Sequence, residues 1–274
     1  MQISPHVYQC HIPDTHAMHP GGTNIYFVGD PAEEMVVIDT GDYDRDWTRQ
    51  ILEFYEKLGK PKITRIVVTH GHMDHIGGLD RVQDAMQAPV GCHPKLAKKL
   101  SMMVGEKNVV KLRSREMLQT GGGTKIRALF TPGHAEDHVC FYVAAERVLF
   151  TGDTILGASS STVEKLDDYM KSLGQLSKLR AEIIAPAHGP VVPPPRGRNL
   201  SSAYMGHRNG REEQVLAALA KGITSPDEMV KDIYPKNLKK ALRPAATRNV
   251  RQHLEKLKNE KRVVEIPASY KLSD

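Results

Sequence analysis

Cysteine, aromatic side chains and long apolar runs are all scarce in this sequence, and each scarcity excludes something. Only three cysteines occur, Cys10, Cys92 and Cys140, without the CxxC spacing of a redox or zinc motif. An odd number of scattered thiols argues against a disulfide framework and for free thiols in a reducing compartment. Aromatic residues make up 5% of the chain, which is little material for stacking the bases of a single strand. No apolar run approaches the ~20 residues of a membrane-spanning helix, so no membrane partner is expected. The first ten residues have neither the charged nor the long apolar segment of a secretory signal. The first Lys or Arg is Arg45, which does not suit a transit peptide. From these absences a cytoplasmic location is expected.

What is present is ordinary in amount and uneven in placement. Hydrophobic residues at 40% and charged residues at 26% sit near globular averages. A chain of 274 residues can bury one large core, or one large and one small. Residues 196–274 carry 17 Lys and Arg against nine Asp and Glu, a net +8, whereas residues 1–195 carry 21 against 23. The positive charge belongs to the C-terminal segment and suggests an anionic substrate or partner approaching from that side. A solvated basic face would read the same way.

Through residue 190, strand and helix signals alternate. Ile25–Val28 and Met35–Ile38 flank a Gly-Asp-Pro turn and read as a hairpin. Asp46–Leu58 has helical spacing and stops at Gly59. Ile63–Val68 is an apolar strand running into Thr69 and His70, followed by a helix over Gly78–Met86 and a strand near Pro89–Cys92. Lys125–Phe130, Val139–Ala144, Arg147–Phe150 and Glu182–Ala185 read as further strands, and Val163–Leu179 as an amphipathic helix. Alternation of this kind predicts an α/β layered fold. Val191–Asn199, with three consecutive prolines, reads as a linker, dividing residues 1–195 from 196–274. Beyond it, helices over Ser201–Lys221, Ser225–Tyr234 and Thr247–Asn259, then a small hairpin over Arg262–Tyr270, resemble a winged helix.

The chemistry lies in Thr69-His70-Gly71-His72-Met73-Asp74-His75. Four metal-ligand side chains fall within six residues of a Gly-rich loop directly after a strand, where they can turn toward one point. Imidazoles with carboxylates suit zinc, and manganese or iron as alternatives. His134, Asp153 and His188 each follow a later strand, at the edge where open α/β sheets place functional groups. Seven ligands exceed one tetrahedral zinc and suit two metals sharing a bridging carboxylate, roughly 3.5–4 Å apart. Such a pair makes hydroxide available near neutral pH and polarises the bond under attack. Asp74 is the candidate that orients that nucleophile and takes its proton. The early histidines His6, His11, His16 and His19 have irregular spacing and read as loop.

THGHMDHIGG, TPGH, TGD and AHGP together resemble the metallo-β-lactamase superfamily over residues 20–192. The resemblance implies a four-layered αββα sandwich. It implies that His70, His72 and His134 hold one metal, Asp74, His75 and His188 the second, and that Asp153 bridges. Zinc β-lactamases typically lack the bridging Asp and several use a Cys ligand, so antibiotic hydrolysis is disfavoured. His72, where flavodiiron members carry Glu, argues against oxygen chemistry. Lactonases and thioesterases of the glyoxalase II type remain.

GGTNIYFVG, TPGHAEDHVCFYV, LFTGDTILGASSSTVEKLDDYMKSL and GHRNGREEQVL further resemble the β-lactamase-like protein 2 family. That family has a winged-helix-like C-terminal domain. Its animal members are similar to single-strand-directed endoribonucleases, some of them mitochondrial, and its fungal relatives release polyketides from carrier proteins. The expectation is therefore a hydrolase of single-stranded RNA, with an acyl-thioester hydrolase as the alternative. A non-enzymatic RNA-binding module is disfavoured by the complete ligand set. Two residues outside that set are candidates: Tyr169 as an oxyanion donor, with a packed helix tyrosine as its alternative, and His207, which with Arg208 and Arg211 sets cations near the site mouth. The C-terminal domain can also serve as a lid or in a homodimer.

Overall fold

Backbone pairing sorts the strands of the computed structural model, which describes residues 1–14 and 21–266, into two sheets. The first contains β1 (Gln2–Ser4), β2 (Val7–Ile12), β3 (Thr23–Gly29) and β4 (Glu34–Ile38). After α1 (Arg45–Lys57) it continues with β5 (Lys62–Val67), then α2 (Met73–Ile76) and α3 (Leu79–Met86). β6 (Val90–Cys92), α4 (Ala97–Val104) and β7 (Val109–Lys111) complete it, with the seven strands adjacent in chain order. The second sheet is built from β8 (Met117–Gln119), β9 (Lys125–Phe130), β10 (Val139–Val143) and β11 (Val148–Gly152). α5 (Leu166–Leu176) crosses to β12 (Ile183–Pro186), which pairs parallel to β11.

Alternation along the strands builds the layers, because successive side chains leave a strand on opposite faces. Ile25 and Phe27 of β3 pack outward with Met35 and Val37 of β4, under the α1–α3–α4 layer. Their neighbours Tyr26, Val28, Val36 and Ile38 point inward against Phe141, Val143, Val148 and Phe150 of the second sheet. Cys140, Tyr142 and Leu149 face the other way, onto α5. The result is the expected αββα sandwich. All three cysteines are free and buried. No described helix is long and apolar enough to cross a membrane.

Local signals explain most helix ends. Asp44 caps α1, its side chain accepting from Asp46 N–H at 2.8 Å. α7 (Pro226–Ile233) starts with Ser225 as cap and proline in the first turn. α8 (Arg243–Asn259) buries Ala246, Val250, His253 and Leu257, one stripe of the helix.

Four expectations change. α6 (Arg196–Ala220) begins inside the stretch read as linker, five residues before Ser201. Its start is seated on the sandwich: a Cβ at Gly197 would lie 2.2 Å from the Glu182 carbonyl oxygen, and Arg198 pairs with Glu182 at 2.6 Å. The helix expected over Val163–Leu179 is shorter, because Glu164 and Lys165 N–H both donate to the Gly133 carbonyl instead. The early histidines are not all loop. His11 lies in β2 and bonds Asn24 Oδ1 at 2.9 Å, and His6 meets Glu146 at 2.7 Å. His16 and His19 fall outside the described residues. The C-terminal hairpin has no strand over residues 262–266, and its remainder lies outside the described residues.

α6 belongs to two cores. Leu200, Tyr204 and Met205 pack with α5 on the second sheet, while Val215 and Ala218 join Met229, Val230, Val250 and Leu257 in a small C-terminal core. The main core depends on large side chains between the sheets, so Phe141→Ala is expected to lower the free energy of unfolding by about 3–5 kcal/mol. Urea denaturation measures it, and a loss under about 1 kcal/mol would mean that the inter-sheet layer closes over the gap.

Candidate metal centre

Every loop carrying a ligand leaves the carboxyl end of a strand: β5 for His70 to His75, β9 for His134, β11 for Asp153, β12 for His188. The structure brings all seven residues together in two groups. In the first, His70 Nε2 and His72 Nδ1 are 2.8 Å apart, and His134 Nε2 lies 3.2 and 3.1 Å from them. In the second, Asp74 Oδ2 lies 3.1 Å from His188 Nε2 and 3.5 Å from His75 Nε2. Asp153 faces both. Its Oδ1 is 3.3 Å from His188 and 3.5 Å from His75, and its Oδ2 is 3.6 Å from His134.

Three of the imidazoles are held by their other nitrogen, which fixes the ring so that it presents its remaining nitrogen to a metal. His75 Nδ1–H donates to Asp39 at 2.9 Å, and His134 Nδ1–H to the Thr162 carbonyl at 2.8 Å. His188 Nδ1 is 2.9 Å from Thr23 Oγ1, whose hydroxyl is directed at Asp14. Inside the centre, His75 Nε2 and Asp153 Oδ1 are buried without a hydrogen-bond partner. Orphaned donor atoms of this kind, in a set of imidazoles and carboxylates, fit a pair of divalent cations.

Electrostatics agrees. Burial keeps His70 well below the ordinary histidine range, with neighbouring imidazole charge adding to the effect, and lowers His72 as well. Both are thus neutral and able to ligate. Burial also acts to lower His75, but Asp74, Asp39 and Asp153 outweigh it and carry that residue up to about 10. Three carboxylates converging on one imidazole leave a field that a cation would satisfy.

Two contributors escaped the sequence reading. Asp39 accepts from Thr69 N–H at 2.7 Å and Thr69 Oγ1 at 2.8 Å, besides His75, and so ties the loop after β4 to the loop after β5. It sits at φ +64, a conformation Asp tolerates better than most residues. The available signal was an Asp ending an apolar strand, as Asp153 does. His138, four residues after His134, is fully buried and takes the Asp153 N–H on its Nε2 at 3.1 Å. Burial holds it neutral, well below its ordinary value.

Two expectations are corrected. Tyr169 is fully buried and its hydroxyl donates to the Thr154 carbonyl at 2.6 Å, so it cannot face an oxyanion. It instead packs beneath the ligand loop: a Cβ at Gly133, which has φ +138, would lie 2.3 Å from Tyr169 Cα. His207 lies on the exposed side of α6, and no described contact links it to the metal ligands. The next residue, Arg208, points inward and donates to the Ser161 carbonyl.

Beside His72 opens a cleft of about 310 Å³. Its walls mix Lys95 and Lys99 with Glu136, Asp137 and Glu164. Lys95 pairs with Glu136 at 2.7 Å, and Lys99 donates to the Gly71 carbonyl at 2.7 Å. Bonds from Lys165 and Lys95 hold Glu136 down to about 2.

Residues 19–188 match the family described as the metallo-beta-lactamase superfamily. The chain belongs to that superfamily. Residues 225–270 match the beta-lactamase associated winged helix domain, a span that takes in α7 and α8. This member of the metallo-β-lactamase superfamily is 33% identical over 261 residues to the beta-lactamase-like protein 2 homolog of Drosophila melanogaster. That alignment covers 89% of this chain and 85% of the fly protein. The chain is 34% identical over 230 residues to the atrochrysone carboxyl ACP thioesterase of Passalora fulva, covering 79% and 64% of the two. It thus spans less than two thirds of that fungal relative. Among solved structures, a beta-lactamase domain protein from Burkholderia ambifaria superposes with TM-score 0.80 at 19% identity, covering 96% and 89%. A metallo-beta-lactamase family protein from Thermus thermophilus gives 0.74 at 24%, covering 95% of each chain. At those identities the likeness is one of fold.

Two outcomes are expected. Asp39→Asn should weaken metal affinity by about 10–100-fold, measured by chelator competition; unchanged affinity would reduce Asp39 to a loop tie. His75 in the metal-free protein stays protonated up to about pH 10, so metal uptake at neutral pH must expel that proton, and affinity falls as pH falls. Calorimetry in buffers of different ionisation enthalpy should report about one proton fewer released by His75→Asn than by wild type.

Proposed function

We propose that this protein is a zinc-dependent thioester hydrolase acting on a small acyl-thioester. The observation that carries the hydrolytic part is Asp153, one oxygen turned to each histidine group. Five imidazoles and two carboxylates are a donor set that favours zinc over harder cations. When bound, two such ions would polarise the substrate carbonyl and lower the pKa of water. The chain's own contribution is orientation. Asp39, Thr162 and Thr23 fix the imidazoles, His138 fixes the Asp153 backbone, and the buried floor excludes bulk water. Asp74, more exposed than Asp153 and placed at the surface of the centre, is positioned to take the proton of the attacking water.

The cleft supports an ester-type substrate over a nucleic-acid strand. Its wall has three carboxylates against two lysines, one of them neutralised by Glu136, so a run of phosphates gains little there. The Passalora relative's name supports the same reading. A second reading, cleavage of single-stranded RNA, draws on an exposed basic face where Lys240, Arg243, Arg248 and Arg251 share a groove of the C-terminal domain.

The deciding experiment sets zinc-loaded enzyme against an acyl-thioester and a fluorescent single-stranded RNA. Thioester turnover that falls by about 10²–10⁴ in Asp74→Ala, with RNA left intact, is the expected result. RNA cleavage that disappears in the same variant, without thioester turnover, would replace this reading with the second.

A further inference from the structure

α6 carries a set of cations into the joint between the two cores. His207 is exposed, Arg211 half-buried and Arg208 buried, at 3% exposure. Opposite them on α8, His253 is 1% exposed, within the apolar stripe of Val250 and Leu257. Arg208 lies 5.2 Å from the centroid of the Tyr169 ring, and Arg211 4.0 Å from that of Tyr234. Stacking of this kind holds a guanidinium plane in place and leaves its N–H edge for hydrogen bonds.

Part of those edges lacks acceptors, although Arg208 Nη2 donates to the Ser161 carbonyl. Arg208 Nε, Arg211 Nη1 and both ring nitrogens of His253 are buried with no hydrogen-bond partner. Among the described residues no carboxylate pairs with any of the three. The nearest acid along α6, Glu212, is taken by Lys256 and Arg262, each at 2.8 Å. Burial, with the charges of Arg208, Arg211, Lys256 and His207, pushes His253 down to about 3. An uncompensated pair of guanidiniums is costly to bury, and an arriving oxyanion would relieve that cost with charge-assisted bonds.

The joint also adjoins the metal centre. Arg208 donates to the Ser161 carbonyl, and Ser161 Oγ lies 3.2 Å from Nδ1 of His134. One residue therefore separates this cluster from a metal-ligating histidine.

We propose that Arg208, Arg211 and His253 form an oxyanion site that holds a phosphate group of the substrate while the thioester lies at the metals. The assignment of that phosphate to the substrate rests on the thioesterase reading; the site itself does not. Arg211, half-buried with its Nη1 turned inward, is the most exposed of the three.

The test has two arms, both on zinc-loaded full-length enzyme. In the first, inorganic phosphate is titrated by calorimetry into wild type, Arg211→Lys, Arg211→Gln and Arg208→Gln, with chloride at matched ionic strength as control. Phosphate-specific binding that weakens at least about tenfold in the Gln variants, and less in Arg211→Lys, is expected. Binding unchanged in all variants would assign the phosphate to the metals and overturn the site, as would no binding at all. In the second, an acyl-phosphopantetheine and the same acyl-pantetheine, which lacks the phosphate, are compared. Arg211→Gln should raise KM about tenfold or more for the first only, with kcat retained. Equal effects on both would overturn the substrate assignment. RNA cleavage that Arg211→Gln abolishes would also overturn it. Turnover of neither thioester, with phosphate binding intact, would fail the thioesterase reading and leave the site standing.

Discussion

The buried carboxylate of Asp153 is the constraint around which the rest of the molecule is arranged. A charged group at 8% exposure is unfavourable unless partners surround it. Here imidazoles from three separate loops supply them, and burial, which alone would raise its pKa, is outweighed by His188, His75 and His134. Holding those loops in register requires the two sheets to end on a common edge. The inter-sheet core of Tyr26, Phe141 and Phe150 sets that edge. His138, on the backbone N–H of Asp153, keeps the carboxylate from turning away.

How much of this was legible in the chain depended on the range over which each feature is determined. The His-x-His-x-Asp-His run could be read because its ligands share one loop, and spacing alone limits what they can do. His134, Asp153 and His188 could be read because each follows a strand that announces itself by apolar residues and a Gly-rich stop. Asp39 could not, since its partner His75 is 36 residues away and nothing local distinguishes it from a turn aspartate. Tyr169 was legible as a neighbour of the site, either an oxyanion donor or a packed helix tyrosine, and its hydroxyl on the Thr154 carbonyl makes it the second.

Helix phase shows the same limit. GHRNGRE identified α6 as the carrier of cations, yet spacing does not say which side faces the sandwich, and the inward residue is Arg208 rather than His207. The start of α6 was hidden for another reason. Three prolines and an Arg-Gly-Arg look like a linker locally, but Gly197 lets the backbone sit against the Glu182 carbonyl. A residue that breaks helices in isolation here permits one to dock. The layered architecture, by contrast, followed from strand signals alternating with helix signals along the chain, which the element order reproduces.

α6 is 25 residues long, and its two halves contribute to different cores. A segment shared in this way couples the two units mechanically. Fraying of the C-terminal bundle would pull at Tyr204, whose hydroxyl bonds the Leu156 backbone on the loop after Asp153. The winged-helix portion is therefore not a detachable cassette. In a lineage that duplicates or recombines it, an exchange at the prolines that mark the boundary in the sequence would take Leu200 and Tyr204 from the sandwich, and one after Ala220 would take Val215 and Ala218 from the C-terminal core, so the two units travel together.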